Sequence, residues 1–236
     1  MNRNIFSPSP STIGPKIYGW WDFSDLNTLT LPGGGKISEV KDKSGNNTLF
    51  QQPSSADQPV QGPMGPKTGA VFDGLTDQAL YTLANVSILN QNYFDFFMVC
   101  INGNILNTMP VFRSDAGSVG GYTVSIEEGT LKARTIDTGG GSLLTGGFCP
   151  EGKVVIVNFT IFSSGASLYT NGVLNETKVV VYNPNSAFPS GIGAYTVSPA
   201  NRYVGEIGEI IMADSITEQY QRDLFYQYLK NKWRTA

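Results

Sequence analysis

Paired carboxylates are the catalytic arrangement to consider first, because the chain contains no histidine. That absence excludes Ser-His-Asp and Cys-His catalysis and every zinc site that needs histidine. Paired carboxylates can still hydrolyse a glycosidic bond. However, Glu206 and Glu209 are three residues apart, which in a regular strand places them on opposite faces, and Glu127 and Glu128 lie in a predicted turn. We therefore predict a protein that is not an enzyme, with a glycanase as the least favoured alternative.

Oxygen ligands for a metal are present but do not form a recognisable loop. Asp42, Asn46, Asp73 and Asp77 could in principle coordinate calcium, yet no twelve-residue calcium loop surrounds them. Aspartate and asparagine beside glycine are typical of turns. The prediction is that no cofactor is bound, and calcium remains the alternative.

The two cysteines match no metal or redox motif. Cys100 lies in an apolar run and Cys149 precedes Pro150, so their spacing fits neither a zinc site nor a redox pair. Two interpretations remain at this stage: two free thiols with Cys100 buried, or one disulfide.

Charge and hydropathy exclude two classes of partner. Sixteen basic residues against nineteen acidic ones give a net charge of −3, without the basic cluster that phosphate neutralisation requires. The apolar run Phe94–Ile101 is far shorter than the roughly 20 residues of a membrane span. The first residues also lack the apolar core of a secretion signal. We expect neither nucleic acid nor membrane as a partner, and no Sec-dependent export.

Short strands separated by turn residues occupy most of the chain. Phe94–Ile101 predicts a central strand covered on both faces. Tyr122–Ile126 and Leu131–Thr135 predict a hairpin, and Asn171-Gly172 between apolar residues predicts another, since both turn positions favour positive φ. Strands that recur about every ten residues indicate an all-β, two-sheet antiparallel sandwich.

One helix is predicted at the C-terminal end. Ser215 and Glu218 have the spacing of a capping box, and an apolar stripe follows. Its members lie three and four residues apart, which predicts a helix packed on the sandwich. They are Ile216, Tyr220, Leu224, Phe225, Tyr228, Leu229 and Trp233.

The first sixteen residues differ in composition from the rest. Residues 1–16 are rich in proline and serine and contain no acidic residue, which predicts an extended arm ahead of a domain at 17–236. A frayed terminus is the simpler interpretation. The alternative is an arm that docks on a partner protein, with Ile5, Phe6, Pro8 and Pro10 as its anchors.

The order of several motifs resembles a known superfamily. They are Trp20–Leu26, Val40–Asn46, Val71–Gly74, Leu168–Gly172, Ile192–Tyr195 and Gly205–Ile211. Together they resemble the concanavalin A-like lectin/glucanase superfamily, specifically the laminin-G-like jelly rolls common in bacteriophage structural proteins, over about residues 18–233. The resemblance implies a two-sheet jelly roll and frequent glycan binding. The carboxylate motif of that superfamily's enzymes, Glu-x-Asp-x-x-Glu, is missing here, so enzymatic activity is not implied.

Two hypotheses of function follow. The first is a non-enzymatic virion surface protein, a capsid decoration, head fibre or tail-associated knob. Its arm would bind the major capsid or tail protein, and it would be made in the host cytoplasm and could form a homo-oligomer. The alternative is a carbohydrate-binding lectin module. Its candidate glycan-binding residues, each of which could instead be a plain surface or core residue, are Arg113, Asp115, Tyr122, Tyr195, Arg202 and Tyr203.

Overall fold

The computed structural model describes residues 8–76, 78–83, 86–104, 108–115, 120–136, 141–184, 189–193 and 202–233. These residues form seventeen strands, three single-turn 3₁₀ helices and one α-helix. The strands are β1 (Ile17–Asp22), β2 (Leu29–Thr30), β3 (Glu39–Lys41), β4 (Leu49–Gln51), β5 (Val60–Met64), β6 (Lys67–Asp73), β7 (Leu80–Tyr81), β8 (Phe94–Asn102), β9 (Thr108–Asp115), β10 (Gly121–Glu127), β11 (Thr130–Ile136), β12 (Ser142–Phe148), β13 (Val154–Phe162), β14 (Gly165–Thr170), β15 (Val173–Lys178), β16 (Gly191–Ile192) and β17 (Val204–Asp214). The 3₁₀ helices are Pro10–Thr12, Leu26–Thr28 and Ser87–Leu89, and the α-helix, α1, is Gln219–Trp233.

The strands form two antiparallel sheets. Sheet I has eight strands in the order β15-β14-β13-β8-β17-β6-β5, with β1 also paired to β17. Sheet II has nine strands in the order β12-β11-β10-β9-β16-β7-β4-β3-β2. The molecule is therefore an all-β jelly-roll sandwich with one C-terminal helix, as the sequence predicts.

Aromatic side chains fill the core between the two sheets. Tyr122 of sheet II lies 4.7 Å from Phe94 of sheet I, centroid to centroid, and stacks on Phe112 at 5.7 Å. Phe96 packs against Phe112 from the other sheet at 4.8 Å. Contacts of this kind join the inner faces of the two sheets.

A second core lies between α1 and the outer face of sheet I. Phe225, Leu229 and Trp233 of the helix are buried there, and Phe225 stacks on Phe97 of β8 at 4.9 Å. Because β8 has a core on each side, all nine of its residues are buried, which confirms the predicted central strand. The helix begins at Gln219, so the predicted capping residues Ser215 and Glu218 precede it.

The two predicted hairpins are confirmed. Asn171 and Gly172 adopt φ of 52° and 79° between the paired residues Thr170 and Val173. Glu128 and Gly129 adopt φ of 49° and 73° between β10 and β11. In both turns the chain reverses over two residues with positive φ, as type I′ geometry requires.

The N-terminal segment is packed from Pro10 onward. Pro10 begins a 3₁₀ helix and is buried, and Ile13 is buried in the same core as α1. The expectation of an extended arm through residue 16 is therefore wrong for residues 10–13, because their apolar side chains find a place in the domain's own core. Pro10 is accordingly a contact within the chain. Ile5 and Phe6 lie outside the described residues, and for Pro8 a role as a partner anchor stays a prediction.

Both cysteines are free thiols buried in the sandwich core. Burial raises the pKa of Cys149 to about 12, and burial together with Cys149 raises the pKa of Cys100 well above its usual value. Of the two interpretations of the cysteines, the structure supports free thiols.

Candidate functional site

One row of side chains crosses the outer face of sheet II from edge to edge. Directly paired residues of neighbouring strands place their side chains on the same face. The register links one residue from each of the nine strands, and we call this set the sheet II row. From β2 to β12 through the sheet, it is Thr30, Glu39, Gln51, Tyr81, Gly191, Arg113, Thr123, Arg134 and Leu143.

Burial confirms that the row faces outward. The chain neighbours of its members, such as Phe50, Leu80, Tyr122 and Ala133, are buried in the sandwich core. Arg134 is exposed, Gly191 is buried, and the other residues of the row are half-buried. Polar groups therefore dominate the outer face of sheet II, whereas apolar side chains on the outer face of sheet I pack under α1.

Tyr81 is the aromatic member of the row, and it has small or polar neighbours. Gln51 pairs with it on one side and Gly191 on the other, and Gly191 in turn pairs with Arg113. Strands are about 4.8 Å apart, so the backbones at Tyr81 and Arg113 are separated by about 10 Å. The glycine between them has no side chain and is itself buried.

A second row runs parallel to the first over strands β10 to β12. Ser125, Lys132 and Thr145 are paired there, and Lys132 Nζ donates to Thr145 Oγ1 at 3.1 Å. Ser125 Oγ donates to Glu127 Oε1 at 3.0 Å. The face thus offers cationic donors, hydroxyls and a carboxylate close together.

The structure separates the six predicted glycan-binding residues. Arg113 lies in the sheet II row, and Asp115 pairs with Gly121 at the end of the same strand. Arg202 donates through Nη1 to the carbonyl oxygen of Leu75 in the turn after β6. Tyr195 lies outside the described residues.

The prediction of glycan binding is wrong for two of the six residues, because their side chains lie in the core. Tyr122 is buried among the aromatic rings between the sheets, so a sugar cannot reach it. Tyr203 is also buried, and its hydroxyl donates to the carbonyl oxygen of Ile101 at 2.6 Å. Alternation in Tyr122-Thr-Val-Ser-Ile126 could have identified Tyr122 as an inward residue.

The sequence reasoning missed Tyr81, Gln51 and Arg134. Tyr81 lies in a short alternating segment, which indicates a half-buried strand but not which strands flank it. The row depends on pairing between strands far apart in the chain, and this pairing leaves no local signal.

The two carboxylates on β17 lie on the same face of sheet I, which corrects the expectation for a regular strand. Glu206 pairs with Ile101 and Glu209 with Val99, and both partners belong to the core under α1. The register shifts between Ile207 and Glu209, because β17 has one extra residue at this bulge. Two residues that are three positions apart therefore lie on the same face of the sheet. Burial raises the pKa of Glu206.

Glu209 is closed off from solvent by the groups that bind it. Its Oε1 accepts from Trp20 Nε1 at 2.6 Å and from the Tyr228 hydroxyl at 2.7 Å. Its Oε2 accepts from Trp233 Nε1 at 2.9 Å and pairs with Lys232 Nζ at 2.8 Å. A carboxylate held in this way anchors the helix and has no access to a substrate.

The side chains considered for calcium have structural roles. Asp42 Oδ1 accepts from the backbone N–H groups of Trp20 at 2.9 Å and Ser44 at 2.8 Å. Asn46 donates to the carbonyl oxygens of Ile17 and Tyr18, and Asp73 accepts from the turn that follows it. In the part of the chain that the structure describes, no three acidic or cysteine side chains form a metal-binding group. Asp77 lies outside that part.

Within the same described ranges, no helix is long and apolar enough to cross a membrane.

Comparison with known proteins identifies the fold alone. No family model matches the chain, and no curated protein is similar to it in sequence. Domain 4 of AbnA, a GH43 extracellular arabinanase from Geobacillus stearothermophilus solved in complex with arabinotriose, matches with a TM-score of 0.64 and 14% identity. The match covers 89% of this chain and 98% of that domain.

Toxin binding domains have the same fold over part of their length. The receptor binding domain of botulinum neurotoxin type G matches with a TM-score of 0.64 and 13% identity, over 90% of this chain and 51% of that one. A botulinum neurotoxin type C structure, from work on cell entry through two ganglioside molecules, matches with a TM-score of 0.65 and 13% identity, over 89% and 50%. The chain thus spans about half the length of these toxin domains. At these identities the shared property is a lectin-like jelly-roll sandwich.

Proposed function

We propose that this protein is a carbohydrate-binding module that holds an oligosaccharide on the outer face of sheet II. The observation that carries the proposal is the sheet II row, in which a tyrosine, two arginines, a glutamine and a threonine share one face. Domain 4 of AbnA supports it, because that domain is matched over nearly its whole length and was solved with arabinotriose. The type C toxin also supports it, because its cell entry depends on interaction with two ganglioside molecules, and gangliosides are lipids that carry sugar chains.

The chemistry of the row suits a sugar chain. A tyrosine ring provides an apolar platform for the face of a sugar ring, and its hydroxyl can bond at the edge. Arg113 and Arg134 donate in a planar fork, while Gln51 both donates and accepts, as sugar hydroxyls require. From Tyr81 to Arg134 the row crosses four strand intervals, about 19 Å, which fits an oligosaccharide better than one sugar.

Binding to arabinotriose and to a glycan array, with and without calcium, tests the proposal. We expect Tyr81→Ala to raise the Kd for the bound glycan about fivefold or more, because the platform is lost. The exposed Arg134→Ala should also weaken binding without disturbing the fold. The matched control is Tyr220→Ala, which removes an exposed tyrosine on α1 and should leave the Kd unchanged.

Two results would overturn the proposal. One is the absence of binding to any glycan under either condition. The other is binding by folded Tyr81→Ala and Arg134→Ala variants that equals the wild type. Circular dichroism of each variant establishes that it is folded.

The proposed module binds its glycan without cleaving it. The environment of Glu209 supports this, since Trp20, Tyr228, Trp233 and Lys232 enclose its carboxylate. Incubation with β-glucans and arabinan, followed by detection of new reducing ends, would reveal any hydrolysis.

The virion hypothesis stays a prediction that rests on the composition of the N-terminal segment and on the resemblance to jelly rolls of bacteriophage structural proteins. It would place the protein on the particle surface, bound to a capsid or tail protein and possessing the same glycan-binding face. Because Ile13 is part of the domain core, deletion of residues 1–7 is the clean test. Loss of particle association by the folded deletion variant would support the hypothesis, and unchanged association would contradict it.

A further inference from the structure

One edge of sheet I has no neighbouring strand. β15 is the last strand of this sheet and, among the described strands, pairs only with β14. A free edge strand presents a row of backbone N–H and C=O groups that another strand can pair with. We call β15 and the residues that follow it, 173–181, the β15 edge. It is a place where a further strand could extend the sheet.

Exposed apolar side chains are concentrated along the β15 edge. Four of the large apolar side chains that are exposed in the described part of the chain lie within its nine positions. They are Val173 (63% exposed), Leu174 (52%), Val179 (89%) and Val181 (66%). Clusters of exposed apolar residues commonly mark interaction sites. The β15 edge therefore has the composition of a surface that is covered by a partner.

The segment after β15 alternates like a strand but has no partner strand. Val180 and Tyr182 pack against the sandwich core, whereas Val179 and Val181 are exposed. This alternation has the period of a strand. No described residue forms a hydrogen bond with the backbone of Val180, Val181 or Tyr182. A further strand at this edge would satisfy these backbone groups.

The charged side chains of β15 are turned toward sheet II. Edge strands often carry a lysine that prevents pairing with another chain. Here Lys178 Nζ pairs with Glu176 Oε1 at 3.0 Å and donates to the carbonyl oxygen of Leu143 at 2.6 Å. Glu176 Oε2 accepts from the backbone N–H of Thr145. Leu143 and Thr145 belong to β12, so both charges lie between the two sheets and do not extend along the free edge.

We propose that the β15 edge pairs with the β15 edge of a second copy of this chain, in an antiparallel arrangement centred on Thr177. In this register Glu176 lies opposite Lys178 of the second copy, and Lys178 lies opposite Glu176 of the second copy. Each carboxylate then has one ammonium group of its own chain and one of the other copy beside it. Opposite charges that are directly paired across strands stabilise the pair.

The apolar residues of the edge face each other in the same arrangement. Asn175 is an extra residue in β15, since its two neighbours pair with consecutive residues of β14. Beyond this bulge, Leu174 lies opposite Val179 of the second copy and Val173 lies opposite Val180. The dimer would therefore cover the exposed apolar side chains on both copies.

Charge complementarity favours a second copy over an unrelated strand. An unrelated strand would have to present a lysine and a glutamate two positions apart in the matching order, whereas this chain supplies both itself. A twofold axis through Thr177 makes every contact twice. Paired edge strands continue one sheet, so the axis is perpendicular to sheet I and both sheet II rows face the same side. Bivalent glycan binding would follow, a consequence that rests on the proposed function, whereas the dimer does not.

Sedimentation velocity of the full chain over a concentration series tests for association. We expect a reversible equilibrium between the monomer of 25.5 kDa and a species of twice that mass. A chain that stays monomeric up to millimolar concentration would overturn the proposal.

Charge substitutions test the register. Lys178→Glu places carboxylates opposite each other at both ends of the strand pair, and Glu176→Lys places ammonium groups there, so each variant alone should raise the dimer Kd about tenfold or more. An equimolar mixture of the two restores both opposite-charge pairs and should form a heterodimer, which native mass spectrometry distinguishes by mass. Lys41→Glu is the matched control, since it makes the same charge change at an exposed position of β3 and should leave the Kd unchanged. Circular dichroism establishes that each variant is folded.

A cysteine at the proposed axis tests the same register independently. Residues directly opposite in an antiparallel pair have Cα atoms about 4.5–5.5 Å apart, a separation that a disulfide can span. Oxidised Thr177→Cys should therefore form a covalent dimer. Ser55→Cys, at an exposed loop position, is the control and should crosslink much more slowly. The two native thiols are buried and do not compete.

Three further outcomes would overturn the proposal. They are a dimer whose Kd neither charge variant changes, a mixture of Lys178→Glu and Glu176→Lys that forms no heterodimer, and equal crosslinking of Thr177→Cys and Ser55→Cys. A heterodimer that forms only in the mixture supports it. Absence of glycan binding would overturn the proposed function and leave these results unchanged, so the two failures are distinguishable.

Discussion

At the scale of single residues, Glu209 shows how this molecule keeps a charge inside its core. Two indole N–H groups, a phenol and an ammonium surround its carboxylate, and they come from β1 and α1. An isolated buried charge would be strongly unfavourable, so these four donors are what makes the position tolerable. The carboxylate in turn gives each donor a partner.

We predict that Glu209→Leu lowers the free energy of unfolding by about 3–5 kcal/mol, because it leaves two indoles and the Tyr228 hydroxyl without their acceptor and removes one of the two carboxylates that pair with Lys232. Urea denaturation of both proteins measures the difference. The matched control is Glu206→Gln on the same strand and face. One oxygen of Glu206 is buried without a partner among the described residues, so this variant should change stability by less than about 1 kcal/mol. An equal effect of the two substitutions would contradict the prediction.

The candidate site residues were chosen by side-chain type and by their place in predicted loops, which does not establish the face on which each one lies. Arg113 was predicted as a binding residue and lies on the outer face of sheet II. Tyr203 gave no signal, because it lies outside an alternating run and is buried by contacts with β8 and β17. Asn158 lies in a Val- and Ile-rich strand, and its hydrogen bond to Asp95 joins residues 63 positions apart in the sequence.

At the scale of elements, the N-terminal segment contributes to the core under α1, although its proline- and serine-rich composition does not indicate this. Ile13 reaches the cluster of Phe225, Leu229 and Trp233 although its neighbours are serine, threonine and glycine. One apolar residue in a polar segment produces no hydrophobic periodicity, which is the signal that indicates a buried face. The burial of this segment therefore became visible only in the structure.

We predict that Ile13→Ala lowers the free energy of unfolding by about 2–4 kcal/mol, because it leaves a cavity under α1. Leu26→Ala is the matched control, since Leu26 is 60% exposed and its loss should cost less than about 0.5 kcal/mol. Chemical denaturation monitored by tryptophan fluorescence measures both. A change below 1 kcal/mol for Ile13→Ala would mean that the segment is detached in solution.

The turns were predictable and the bulge in β17 was not. Asn171-Gly172 specifies its hairpin through two residues that tolerate positive φ, which is local information. Gly208, at the bulge, is needed because a side chain there would approach the ring of Trp233 to 2.5 Å. That contact joins residues of different elements, so the pattern Glu206-x-x-Glu209 suggested opposite faces for two carboxylates that share one.

At the scale of the whole molecule, the two sheets differ in what covers them. The central strand of sheet I is buried on both faces, and it could be identified from its continuous apolar run. Sheet II has one polar outer face, and its strands alternate. The sandwich was therefore predictable, but the strand order was not. For example, β8 pairs with β13 and β17, which are far from it in the sequence.

A cluster of charges joins the two ends of the chain. Asp22 Oδ2 pairs with Lys43 Nζ at 3.0 Å and with Lys232 Nζ at 2.7 Å, and Lys43 also pairs with Asp25 at 2.7 Å. Burial would raise the pKa of Asp22, but Lys232, with help from Ser24 and Lys43, outweighs this and lowers it. The hydrogen bond from Lys43 lowers the pKa of Asp25.

We predict that these pairs make the fold sensitive to acid. A carboxyl group whose pKa is lower in the folded chain stabilises the fold above its unfolded pKa of about 4, and this contribution is lost as the pH falls through the folded pKa. Burial raises the pKa of Glu206, which therefore acts in the opposite direction. Urea denaturation at a series of pH values below 5 should show a steep decline in the wild type.

Asp22→Asn isolates the contribution of the cluster from the general effect of acid. The variant keeps a partner for each lysine, since Lys43 retains Asp25 and Lys232 retains Glu209. It should be less stable than the wild type at neutral pH, and the difference should shrink as the pH falls, because protonation of Asp22 removes the same charge in the wild type. A difference that stays constant with pH would show that packing, and not this charge, joins β1 to α1.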